Sequence, residues 1–140
     1  MDRSMEHWRK QSDQVAPEKQ FAQIVETYLS ALHRDNPGHG CSIPALGAEI
    51  ARESPKTRRA FAGKLDEMID MLTGFIPNMP RKAARKQAIA TLATMAGTML
   101  LARIAGSSEL SDEVLKAGKD SALEGSKREP KATAVKKRQD

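Results

Sequence analysis

The chain is 140 residues long, carries 23 Lys and Arg against 18 Asp and Glu for a formal charge of +5, and is 39% hydrophobic but only 4% aromatic. Its size fits one domain, and its single cysteine excludes both an internal disulfide framework and a cysteine-based zinc site, each of which needs several sulfurs. No apolar run approaches the roughly 18 residues of a membrane span, and the opening MDRSMEHWRK lacks the apolar core of a secretory signal, so the sequence reads as a cytoplasmic chain with no membrane partner.

The polar opening stretch around Glu6, His7, Trp8 and Val15 predicts a weakly amphipathic helix that ends before Pro17. Pro17 and Glu18 open a second helix, because proline suits the first helical position and an acidic group suits the positive end of the helix. Its apolar residues Phe21, Ile24, Val25, Tyr28, Leu29 and Leu32 keep the spacing of one buried face. Asp35, Asn36, Pro37, Gly38 and Gly40 predict a turn over 33–42, followed by a short helix from Ile43 to Arg52. Ser54 and Pro55 repeat the helix-start signal for a long helix to Phe75 with Phe61, Leu65, Met68, Ile69 and Leu72 inward, stopped by the run Ile76-Pro77-Asn78-Met79-Pro80. The next helix runs from Arg81 to Ala105; its first turns are basic, which is unfavourable at that end, and the rest is nearly uncharged. Ser107 or Ser108 opens a last helix with Leu110, Val114, Leu115 and Ala122 inward, ending before Gly125. Few aromatics and valines and much Ala, Leu, Met and Lys agree with this pattern, so the expected fold is all-α.

Residues 125–140 hold six Lys or Arg and two Asp or Glu, so +4 of the charge lies there and +1 on residues 1–124. With nothing larger than Val135 to bury, this stretch is expected to be a disordered, solubilising tail. The sequence pI near 9.5 is then a property of the tail and gives no reason to read the body as binding nucleic acid.

Residues 88–105 present small and large apolar residues all round the helix, more than one protomer of this size buries. A homodimer sealed by this helix and the last one follows, with Ile89, Leu92, Ala93, Ala96, Met99, Leu100, Leu110, Val114 and Leu115 at the interface; the alternative is the central helix of a monomeric bundle. His33, His39 and Cys41 fit no zinc spacing, and the turn residues among them explain the segment without metal. Glu49 reads as an exposed helix residue or as a polar anchor in a cavity. No nucleophile-and-base pair, phosphate loop or carboxylate pair stands at motif spacing, so neither catalysis nor a cofactor is expected. The methionines at 68, 71, 79, 95 and 99 suit either an ordinary core or a cavity that adapts to varied ligands.

The segment HRDNPGHGCSIPALGAEIARESPKTRRAF, the long amphipathic helix after it, and the nearly uncharged helix ending LLARIAG before SSELSDEVLKAG together resemble the C-terminal regulatory domain of TetR/AcrR-type transcriptional regulators. The resemblance covers residues 5–123 and implies a TetR C-terminal-like bundle of about six helices that dimerises through a four-helix bundle of its last two long helices and encloses a small-molecule effector site. Residues 1–15 then correspond to the end of a connecting helix, 16–124 to the regulatory domain and 125–140 to the basic tail. The helix-turn-helix head of the family has no counterpart in this sequence, so no DNA-reading residue carries over and sequence-specific DNA binding by this chain alone is not expected. A small apolar effector would lie among Trp8, Phe21, Tyr28, Leu46, Met68, Met71, Leu72, Phe75, Met95 and Met99. Two other functions fit the same residues: a headless body forming mixed dimers with an intact regulator, and a small helical enzyme acting through Glu49, His39 and Cys41.

Overall fold

Proline and serine set most of the helix boundaries. A computed structural model describes residues 1–127, which form α1 (Asp2–Ser12), α2 (Gln20–Tyr28), α3 (Ala31–Asp35), α4 (Ser42–Arg52), α5 (Pro55–Phe75), α6 (Arg81–Ala105) and α7 (Glu109–Lys127). Single 3-10 turns cover Pro17–Lys19 and Pro37–His39, and no strand occurs among the described residues. The stretch expected to be a basic tail lies, beyond Lys127, outside the described residues. Ser54 caps α5 by accepting the Thr57 N–H at 3.3 Å, with Pro55 at the first helical position.

The helix expected to run from Pro17 through Leu32 is broken. Pro17–Lys19 is a 3-10 turn, α2 ends at Tyr28, and Ser30 starts α3 by accepting the His33 N–H at 3.2 Å. A serine that caps its own new helix competes with continuation of the old one, and here the cap wins. The restart leaves Leu32 76% exposed, whereas the first five residues of the same periodic set are buried. The turn expected over 33–42 therefore holds a short helix and a 3-10 turn.

The central element is α6, packed against α5 on one side and α7 on the other, with α3 and α4 also in contact. Its inner residues Ala84, Ala88, Thr91, Leu92, Met95, Thr98, Met99 and Ala102 follow helical spacing. One 18-residue window within it has a mean hydropathy of 1.6, so α6 is long and apolar enough by length and composition to cross a membrane. The sequence holds no uninterrupted apolar run of that length, because threonines, Gly97 and one arginine divide it, and the core helix of a folded bundle meets the same test of length and composition. The basic first turns of α6 find acidic partners on α5, where Arg85 bonds Asp70 at 2.6 Å and also Asp66, and Arg81 reaches Asp70 at 3.3 Å. These pairs are exposed and offset an unfavourable helix start rather than drive folding.

Glycine governs the α6–α7 seam. A Cβ at Gly118 would sit 2.1 Å from Thr98 Oγ1, so the two helices approach more closely than any side chain permits. Gly125, expected to end the helix, instead lies inside α7, where a Cβ would meet only the amide end of Gln87 at 2.5 Å. Gly118→Val is therefore expected to lower stability by about 2 kcal/mol or more through overpacking, while Gly125→Ala is neutral or stabilising, since a flexible amide swings away and alanine favours helix. Urea denaturation of both variants checks this; equal effects at the two positions would contradict the seam described.

Candidate functional site

At the junction of α1, α2, α3 and α4 the side chains form a stack. The ring of Trp8 lies 5.3 Å from that of Tyr28 at a 59° tilt, and Tyr28 meets the His33 ring edge-on at 4.6 Å. Trp8 and Tyr28 are buried because α1 lies on α2, an approach held by Gln20 Nε2 donating to the Ser12 carbonyl at 3.1 Å.

His33 has both ring nitrogens engaged. Nε2 accepts the Cys41 backbone N–H at 3.1 Å, which leaves Nδ1 to carry the proton and donate to the Tyr28 carbonyl at 2.7 Å. This ring position demands glycine at 40, where a Cβ would overlap Nε2 at 2.1 Å. The segment that held a candidate metal set thus uses His33 as a backbone clip; His39 is exposed and Cys41 buried, and no group of three His, Cys, Asp or Glu side chains assembles among the described residues.

Two arginines tie this clip to the long helices. Arg103 of α6 donates from Nε to the Arg34 carbonyl at 3.1 Å and from Nη2 to the His33 carbonyl at 2.9 Å. Arg34 is 8% exposed and forks onto Asp35 at 2.7 and 3.2 Å, while its Nη1 reaches Ser111 Oγ at 3.1 Å and Asp112 at 3.3 Å. Ser111 Oγ in turn donates to the Ala102 carbonyl at 2.8 Å. Burial holds the Arg103 guanidinium below its usual pKa, and burial followed by the neighbouring Cys41 thiol raises the Tyr28 phenol well above its own.

Of the ten residues expected around an effector, Trp8, Phe21, Tyr28, Met68, Met71, Leu72, Met95 and Met99 fall within one buried cluster, and Phe75 packs against it half-buried. Leu46 does not join them. It is 49% exposed, because α4 buries only Pro44 and turns its remaining apolar residues partly outward. A separate groove of about 420 Å³ lies between α2 and the end of α7, lined by Phe21, Ala22, Met79 and Leu123 with Glu18 and Lys127 beside them.

The residues expected at a dimer face divide in two. Ile89, Ala93, Leu100 and Leu110 are exposed, and Ala96 and Val114 partly so. Leu92, Met99 and Leu115 are instead buried inside the protomer, because they lie on the inner stripes of α6 and α7. Leu101 and Ile104, 56% and 74% exposed, extend the outer stripe and were not among the expected set. Sequence reasoning also passed over Arg103 and Ser42. Arg103 had a signal, being the only charge between Ala88 and Gly106; Ser42 had none.

Residues 17–116 match the family described as transcriptional regulator LmrA/YxaF-like, C-terminal domain. The chain belongs to this family of TetR C-terminal regulatory domains. Domains of this kind generally dimerise and bind small-molecule effectors, and the family is one of transcription regulators, generally without enzymatic activity. No curated protein matches the chain.

The His33 clip predicts a pH dependence. Desolvation, the largest cause, with the Arg103 charge holds the folded-state pKa of His33 below the ordinary 6.5, against the raising effect of the Tyr28 carbonyl. The unfolded chain then binds the proton more readily, so stability is complete above about pH 6.5 and is lost as pH falls through that value towards the folded pKa. Thermal melting is expected to drop between pH 7.5 and 5.5, and to drop less in His33→Asn, which lacks the titrating ring. Parallel curves for the two proteins would contradict this.

Proposed function

We propose that the chain senses a small, largely apolar effector within its helical core and forms a homodimer through the outer faces of α6 and α7. The observation that carries this reading is that α6 has two apolar faces of different fate. Leu92, Met95 and Met99 fill the core, while Ile89, Ala93, Leu100, Leu101 and Ile104 lie on the opposite side and are exposed. An exposed stripe of that extent on a folded protomer calls for a partner, and a second copy offers the same stripe by two-fold symmetry. The core beside it is rich in methionine, with Met68, Met71, Met95 and Met99 buried, and unbranched thioethers repack around ligands of varied shape. Displacement of a core methionine by an effector acts on the helix that carries the dimer stripe, so both activities share one element.

Leu100 is 46% exposed within the protomer, so Leu100→Glu leaves the fold intact while placing a charge at the proposed interface. An unpaired buried charge costs about 3 kcal/mol or more, over roughly a hundredfold in dimer dissociation constant. Light scattering is expected to give dimer for the wild-type chain and monomer for the variant, with unchanged helical circular dichroism. Dimerisation equal to wild type would overturn the interface. Trp8, the sole tryptophan, stacks on Tyr28 inside the proposed effector site, so its fluorescence should change on titration with lipophilic dyes. A flat response together with an unshifted melting temperature would overturn the sensing role.

A further inference from the structure

Three buried polar atoms have no nitrogen or oxygen hydrogen-bond partner among the described residues: the Tyr28 hydroxyl, which has only the weakly bonding Cys41 thiol beside it, the Ser42 hydroxyl and Nη1 of Arg103. Such atoms are almost always paired in folded proteins, and each of these can donate a hydrogen bond. Tyr28 is only 1% exposed, and its hydroxyl, the Cys41 thiol and the Arg103 guanidinium are close enough to perturb one another's ionisation. Arg103 spends its other nitrogens on the His33 and Arg34 carbonyls, and no carboxylate among the described residues stands within ion-pair distance of it. Ser42 begins α4, an 11-residue helix whose first turn receives no side-chain cap from Cys41. That helix start is tied to the same segment by the Cys41 N–H, which bonds His33 Nε2 at 3.1 Å.

A surplus of donors around one uncompensated cation is an environment made for an anion. We propose that Tyr28, Ser42 and Arg103 bind the carboxylate of an effector acid, with its apolar part directed into the methionine-rich core. Arg103 supplies the charge, and the two hydroxyls fix the oxygens. This inference rests on the effector-sensing role above, and names the chemistry of the effector.

The test uses the full chain and two acid-and-amide pairs, octanoate with octanamide and benzoate with benzamide, followed by melting temperature and Trp8 fluorescence. At least one acid is expected to bind about tenfold or more tightly than its amide, a difference of about 1.4 kcal/mol. Arg103→Gln and Tyr28→Phe should each remove most of that preference. Tyr28→Phe keeps the ring stack, and without ligand should melt close to wild type, since the hydroxyl it removes has only the weakly bonding Cys41 thiol beside it; it decides the matter if Arg103→Gln does not fold. Equal binding of acid and amide, or a preference that survives both substitutions, overturns the carboxylate site. If the amides or lipophilic dyes bind in that case, effector sensing stands without it; if nothing binds, both fall.

Discussion

A neutral imidazole at His33 fixes the geometry on which the rest of the site depends. Its two nitrogens join the end of α2 to the cap of α4 across a chain reversal of a dozen residues, with Nδ1 donating to the Tyr28 carbonyl and Nε2 accepting from Cys41. Neither bond is strong by itself, a neutral bond contributing about 1 kcal/mol. Their joint effect is directional. The pair sets the tautomer, the tautomer sets the ring plane, and the ring edge then fixes Tyr28, whose other side meets Trp8 of α1. Four elements are placed by one side chain, at the cost of requiring glycine at 40 and a ring that stays unprotonated.

Around that clip the architecture is a division of labour along α6. Small and threonine residues on its inner side let α7 approach until Thr98 touches the bare backbone of Gly118, and the larger methionines join the buried core. The outer side keeps its leucines and isoleucines exposed in the protomer. Packing to this density on one face makes the helix a rigid body, since interiors of protein density transmit displacement rather than absorb it. The proposed sensing and dimerisation both depend on that rigidity.

The all-helical architecture was legible in the sequence because the elements are long and punctuated: Ser54-Pro55 and Pro80-Arg81 mark starts that hydrogen bonding and proline chemistry enforce locally. What failed to show was whatever depends on three dimensions. Leu32 continues the apolar period of α2 in sequence, yet the Ser30 cap turns it out. Gly125 looks like a helix stop but is a spacer beside Gln87. The expected dimer residues lie on both sides of α6, because a helix apolar all round carries no mark of which stripe its own protomer claims; only burial separates Leu92 and Met99 from Ile89 and Leu100. The core residues expected around an effector are recognisable in sequence as large and apolar, whereas the orphaned donors are not, because an unpaired hydroxyl is a property of its surroundings.

The two arginines join these parts. Arg103 lies on α6, one residue from the exposed Ile104, and holds the carbonyls of His33 and Arg34; Arg34 reaches Ser111 and Asp112 at the start of α7. Ser111 closes the loop onto the Ala102 carbonyl of α6. The short helix α3, which carries His33, is thus bonded to both helices of the proposed dimer face, through guanidinium groups whose planar, forked donors constrain orientation as well as distance. A ligand that engaged Arg103 Nη1 would add a third direction to a group already anchored in two, so its position would be felt first at the α3 backbone and at the α6–α7 turn. The links to α6 are side-chain-to-backbone bonds, which move with the chain and not merely with a rotamer, while the link to α7 runs between the side chains of Arg34, Ser111 and Asp112. It makes the His33 clip and the outer stripe of α6 parts of one mechanical unit.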